Sequence, residues 1–211
     1  MTKVEAIKRV MQEHNGVATL QMIYNEIERY YPNAKASQEW QAGIRGVLYR
    51  DIGTKFKRID EATYALSEYS FLEMLPLAER QGVTEREALT KVRVLQYKYR
   101  ERLLQVLKQC PITGVRDSRL LIASHIKPWC LSDDEEKMDI NNGFVLTPLF
   151  DRLFDRGLIT FTRQREMLLS PSLSKETTKK LNLTNGKYEK LPVAGREKYL
   201  DFHNNNIFIN N

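Results

Sequence analysis

Between positions 120 and 157 the chain carries two short apolar runs, each joined to a single distinctive polar residue, and then two aspartates four residues apart. Leu120, Leu121, Ile122 and Ala123 lead through Ser124 into His125, Ile126 follows, and Pro128 closes the run. A run so short and so bounded is strand-like, because helices need a longer period to bury a face. Asn142 and Gly143 open the second run, Phe144-Val145-Leu146, which reads as the partner strand. Asp151 and Asp155 then fall on one face of a short helix, since residues i and i+4 lie one above the other. A strand, strand, helix unit leaves few folds open, and this one carries an imidazole, a carboxamide and two carboxylates.

Those residue types suit hydrolysis of a phosphodiester. His125 supplies a base near neutrality to activate water, and a divalent cation held by carboxylates neutralises charge on the phosphate and the leaving oxygen. An asparagine beside the histidine can fix its ring by bonding the nitrogen that does no chemistry. The residues alone leave alternatives open. Asn141 stands next to Asn142 and could serve as well. Asp155 could cap the turn at Arg156-Gly157. A lone histidine in an apolar run is more often core than catalyst.

Residues 91–207 resemble the HNH restriction endonucleases, through Ala-Ser-His-Ile-Lys-Pro-Trp at 123–129 and Asn-Gly-x-x-Leu…Phe-Asp-x-Gly at 142–157. The resemblance implies a nuclease domain at 83–211 with a ββα-metal core at about 110–161. By position it makes His125 the general base, Asn142 the orienting residue, and Asp151 and Asp155 the ligands of one Mg²⁺ or Mn²⁺ per active site. Ser124 stands where many such enzymes place an Asp or His ligand, so that part of the metal shell is weak or supplied by water. Asp151 replaces the third histidine of the motif and Phe150 beside it is apolar, which favours Mg²⁺ or Mn²⁺ over zinc or nickel. Cys110 has Thr113 where a second cysteine of a zinc knuckle would stand, so no structural zinc is expected. Lys127, Arg152 and Arg156 are candidates for phosphate contact. Tyr199-Leu200-Asp201-Phe202-His203 resembles the C-terminal helix of family members, which would put His203 near DNA.

The N-terminal third reads differently. Thr2-Lys3-Val4-Glu5 has the form of a capping box, with Ala6, Ile7, Val10 and Met11 at helical spacing and Asn15-Gly16 as the stop, giving a helix over 3–14. Leu20, Ile23, Tyr24 and Ile27 mark a second helix ending before Tyr31-Pro32. From 37 to 50, Trp40, Ile44, Val47 and Leu48 share one side of a third, with Gln38, Gln41, Arg45 and Arg50 on the others. Strand-like runs at 55–59 and 63–66 follow. Three helices and a hairpin make the winged-helix arrangement, in which the third helix commonly enters the major groove. Gln38, Gln41, Arg45, Arg50 and Lys57 are the candidate DNA-binding side chains, although many such domains bind protein instead. The pattern Phe56-x-Arg58…Thr63-Tyr64-Ala65-Leu66 resembles the HARE-HTH domain over 1–68, and that resemblance implies DNA engagement.

Residues 69–82, with Pro76 and Gly82, look like a connector containing a short helix. A second capping box, Thr84-Glu85-Arg86-Glu87, opens a long helix to about 108 with Leu89, Val92, Leu95, Tyr99, Leu103, Val106 and Leu107 at its apolar positions, and it carries Lys91, Arg93, Lys98, Arg100, Arg102 and Lys108. Solvation explains that basic face as well as phosphate contact does. Over the whole chain 33 Lys and Arg oppose 27 Asp and Glu, a net charge of +6, and the one acidic stretch, 131–170, lies between basic ones. A basic balance favours a polyanionic partner. Two cysteines cannot build a disulfide framework, and no apolar run approaches the roughly 20 residues of a membrane span.

The expectation is an α+β protein: a winged helix followed by a mostly helical domain containing the ββα-metal motif. The resemblances imply a type II restriction endonuclease acting on double-stranded DNA and paired with a cognate DNA methyltransferase, its dependence on base modification left open; the single His/Asn/Asp set leads to a homodimer, and the two cysteines fit the cytoplasm. Two other readings stay open: a non-catalytic winged-helix regulator with a degenerate HNH module, and a nuclease for RNA or structured nucleic acid.

Overall fold

A computed structural model describes residues 1–210, which form two compact units parting between Tyr69 and Ser70. In the first, α1 (Lys3–Glu13) starts from the expected capping box, in which Thr2 accepts from the Glu5 amide and Glu5 returns the bond. The strand β1 (Val17–Thr19) follows, then α2 (Leu20–Glu26), capped by the Thr19 side chain, and α3 (Trp40–Arg50). β2 (Phe56–Arg58) and β3 (Thr63–Leu66) form the hairpin, and β1 pairs antiparallel with β3, Val17 opposite Ala65. Strand β1 is too short for its own alternation to show; the free edge of β3 creates it. The third helix begins at Trp40, later than the periodicity suggests, because Ser37 to Glu39 form a turn, so Gln38 lies outside the helix. Ala6, Ile7, Val10, Ile23, Ile44, Leu48 and Phe56 fill the core.

The second unit begins at Ser70, so residues 70–82 belong to it rather than to a connector. Two 3₁₀ turns, Phe71–Met74 and Leu77–Glu79, replace the expected short helix. The Trp129 indole N–H donates to the Met74 carbonyl at 2.9 Å and anchors the segment. Next comes α4 (Glu85–Val106), opened by its capping box. β4 (Ile122–His125) pairs antiparallel with β5 (Gly143–Leu146), with α5 (Asp134–Met138) in the crossing segment and α6 (Pro148–Asp155) directly after. The ββα order read from the apolar runs is therefore present.

Sequence reading missed the sheet that follows: β6 (Ile159–Phe161), β7 (Glu166–Leu169) and β8 (Gly186–Lys187), all antiparallel, with α7 (Lys175–Lys180) inserted. It makes the unit less helical than expected within the α+β class. Helix α8 (Glu197–Asn206) packs on β6. No helix among the described residues is long and apolar enough to cross a membrane.

His203, expected near DNA, is buried instead. Its ring stacks on Phe154 at 3.8 Å, and Phe154 in turn packs with Phe144 and Phe161. Nε2 donates to the Phe154 carbonyl at 3.1 Å, and Nδ1 lies 2.8 Å from the Thr160 hydroxyl. Burial pushes its pKa down to about 3, so it stays neutral in the native state. In the unfolded chain it protonates near its ordinary value of about 6.5, so the unfolded state binds the extra proton and stability falls as pH drops below that value. Chemical denaturation should show a lower midpoint at pH 5 than at pH 7.5. His203→Gln should be weaker at pH 7.5 yet lose less between the two; an unchanged pH slope would remove His203 as the cause.

Candidate active site

Neighbouring residues in a strand point to opposite faces, and β4 uses this to separate two sets of contacts. On one face His125 meets α4: its ring stacks on Tyr99 at 3.9 Å, with the edge of Trp129 at 5.4 Å. On the other face the Ser124 hydroxyl donates to Asp155 Oδ1 of α6 at 3.2 Å. Asp151 stands one turn earlier on α6, half-buried like Asp155.

His125 Nε2 lies 3.1 Å from the Lys137 carbonyl. A carbonyl only accepts, so Nε2 carries the hydrogen and the lone pair of the neutral ring is on Nδ1. Burial holds the pKa down, to about 4, against the opposing pull of the Lys137 carbonyl. The imidazole is thus neutral at physiological pH and able to accept a proton.

The expectation that Asn142 orients His125 directly is corrected, because its amide is engaged elsewhere. Oδ1 accepts the Lys127 amide at 2.8 Å, and Nδ2 reaches the carbonyls of Lys127 and Glu136 and the Ser132 hydroxyl at 3.1 to 3.2 Å. Asn142 is fully buried and ties together the crossing segment that presents the Lys137 carbonyl. Asn141 also makes no bond to the histidine; its Oδ1 faces Arg196 Nη1 at 3.4 Å.

Lys127, expected to meet phosphate, has its ammonium on the Glu136 carboxylate and over the Phe202 ring at 5.1 Å. Arg152 is exposed on α6 and Arg156 half-buried at its end. In the first unit, Arg45 donates to the Tyr24 hydroxyl at 3.0 Å, Lys57 to the Tyr69 carbonyl at 2.8 Å, and Arg50 faces Asp51 at 3.4 Å. Gln38 is exposed and Gln41 half-buried.

Among the described residues no three His, Cys, Asp or Glu side chains form a group able to hold a metal. Asp155 and Asp151, with the Ser124 hydroxyl, offer oxygen donors only. Such a set suits Mg²⁺ or Mn²⁺, which one or two carboxylates commonly hold while water and phosphate fill the remaining positions. It does not suit zinc, which prefers nitrogen and sulfur ligands.

Tyr99, Trp129, Lys137 and Arg196 were not singled out as site residues from sequence. Tyr99 reads there only as an apolar position of a long helix, and a backbone carbonyl such as that of Lys137 leaves no trace in sequence. The Tyr99 hydroxyl donates to the Asn142 carbonyl at 2.9 Å, and buried Arg196 donates through Nε to the Gly143 carbonyl at 3.0 Å.

Residues 110–162 match a family model described as HNH endonuclease, HNH_2. The matched stretch spans β4, β5 and α6, and so contains His125, Asn142 and both aspartates. This segment is similar to a nuclease module of that family. No curated protein matches the chain.

Gly143 shows how closely the site is packed, because a Cβ there would lie 1.9 Å from the Tyr99 hydroxyl. Gly143→Ala should destabilise the protein by about 1–3 kcal/mol, the range for overpacking a tight core. Adding Tyr99→Phe, which removes the clashing oxygen, should recover part of that loss in a urea titration; strictly additive effects of the two changes would refute this account.

Proposed function

We propose that the chain is a metal-dependent DNA endonuclease, in which the second unit hydrolyses phosphodiesters and the first, 1–68, serves as a winged-helix DNA-binding module. The observation that carries the reading is the setting of His125: a neutral imidazole whose Nε2 is committed to a carbonyl and whose Nδ1 holds the lone pair. The family match over 110–162 supports the same chemistry.

In this mechanism His125 Nδ1 takes a proton from water as the oxygen attacks phosphorus in line with the departing 3′-oxygen. Tyr99 and Trp129 hold the ring in place and keep it desolvated. Asn142 shapes the loop whose Lys137 carbonyl fixes the tautomer. Asp151 and Asp155 would hold Mg²⁺ or Mn²⁺, with Ser124 orienting Asp155. That ion supplies charge neutralisation at the phosphate and the leaving oxygen.

Each chain carries one such set of residues, and the two scissile phosphates of a duplex lie on antiparallel strands. Two copies on a near-palindromic site would cut both strands, so we assign a homodimer; the resemblance to HNH restriction endonucleases extends the proposal to type II restriction in the cytoplasm beside a cognate methyltransferase. Arg152 and Arg156 flank the aspartates as phosphate contacts. In the first unit the exposed Arg50 of α3 and Gln38 before it are the side chains best placed for DNA. A second reading, a DNA-binding regulator with a decayed site, draws on the lack of a three-ligand group among the described residues.

Plasmid nicking with Mg²⁺ or Mn²⁺ against EDTA separates the two. His125→Ala should lose roughly 10²- to 10⁴-fold in turnover while still binding DNA. Asp151→Ala should abolish cutting and metal binding together, and Asp155→Ala should show a smaller loss of the same kind. An active His125→Ala protein sinks the mechanism, and a wild type inert with every metal favours the regulator.

The acid limb of kcat/KM reports the free protein. With the His125 pKa near 4, activity should hold as pH falls from 7.5 to 6 where an ordinary histidine base would already lose much of it. A limb centred near 6.5 would show that the working base is a different, more exposed group.

A further inference from the structure

The chemistry at His125 leaves part of α4 unexplained. Gln96, Tyr97 and Arg100 of that helix face Ile122 of β4 and Arg119 across a cavity of about 540 Å³, and His125 forms part of its wall. Tyr97 is 62% exposed and Ile122 37%, so an aromatic ring and an aliphatic side chain stand open at the rim. Arg100 is pinned beneath, its Nη2 donating to the carbonyls of Ser118 and Leu121 at 3.0 and 3.1 Å. Its Nη1 is enclosed without a hydrogen-bond partner, so the guanidinium is held in the wall and reaches the groove through its charge alone. Arg119 forks onto Asp117 with its side chain 87% exposed.

The volume falls within the roughly 300–1,000 Å³ of pockets that hold one small organic ligand, and it is far too small for a duplex. An open aromatic ring beside guanidinium groups is the combination that takes single-stranded nucleic acid, with the base on the ring and the backbone against the cations.

We propose that this groove takes one unstacked nucleotide of the cut strand next to the scissile phosphate, its base on Tyr97 and its backbone against the exposed Arg119, with the buried charge of Arg100 behind it. The inference rests on the endonuclease reading above. It adds that the second unit engages a locally opened strand, and that Tyr97 holds the extruded base. Extruding a nucleotide costs its stacking and pairing, so DNA that is already underwound is the better substrate.

The test is nicking of one plasmid, negatively supercoiled or relaxed and covalently closed, by the full chain with Mn²⁺. Wild type should favour the supercoiled form. Tyr97→Ala should lose roughly 5- to 150-fold on relaxed DNA, the loss expected when one base–aromatic stack is removed, and less on supercoiled DNA. Tyr97→Phe should cut nearly as wild type, because a phenyl face stacks equally well. Thermal unfolding should match wild type in both variants, since Tyr97 is exposed, and this separates a lost stack from a lost fold. A Tyr97→Ala protein that nicks relaxed DNA at the wild-type rate, or a Phe variant as poor as the Ala one, overturns the proposal. If folded wild type nicks neither form, the endonuclease reading itself fails and the groove proposal falls with it.

Discussion

The second unit depends on a single buried carboxamide. Asn142 has no exposed surface, and its side chain bonds the backbone of Lys127 at both N–H and C=O, the Glu136 carbonyl and the Ser132 hydroxyl. Its own carbonyl accepts from the Ile126 amide and the Tyr99 hydroxyl, and its own amide donates to Asp139. A buried polar group left unpaired costs far more than a satisfied one contributes, so these bonds stand or fall together. They fold the chain between β4 and β5 into one shape, and that shape brings the Lys137 carbonyl to the imidazole. The carboxamide therefore acts on the histidine at one remove, through the loop it holds.

His125 and His203 show how the same burial yields two different residues. Both rings stack on an aromatic side chain, both give Nε2 to a backbone carbonyl, and both are pushed to the neutral form. The difference is Nδ1. In His203 it is taken up by the Thr160 hydroxyl inside the core. Among the described residues no hydrogen bond occupies it in His125, which also lines an open groove. One histidine is spent on holding α8 to its neighbours, and the other keeps a basic atom in reserve.

Several cations counted toward the basic balance are likewise committed within the fold. Lys127 lies on Glu136, Arg196 is buried against the carbonyls of Gly143 and Ile140, and Arg45 is bound to Tyr24. Formal charge therefore overstates what is available to a polyanion. Arg50 and Arg119 are also ion-paired, with Asp51 and Asp117, but their side chains stay largely exposed.

The sequence by itself determined the helices that begin with capping boxes, because Thr2 with Glu5 and Thr84 with Glu87 satisfy free backbone donors within one turn of chain. It also determined the strand, strand, helix order from Ile122 to Asp155, since each apolar run is bounded by residues that end it. It could not show β1, three residues made into a strand by the free edge of β3, nor the sheet from Ile159 to Lys187. Nor could it show which atom faces His125, because that partner is a main-chain carbonyl twelve residues away, equally present at every position in the chain. Tyr99 could be read only as helix core. Its meeting with Gly143 and His125 brings together residues far apart in sequence, and that proximity exists only once α4 has packed on β4. Local hydrogen bonding and periodicity are written in neighbouring residues; the tautomer, the desolvation and the engagement of each cation were decided by tertiary packing.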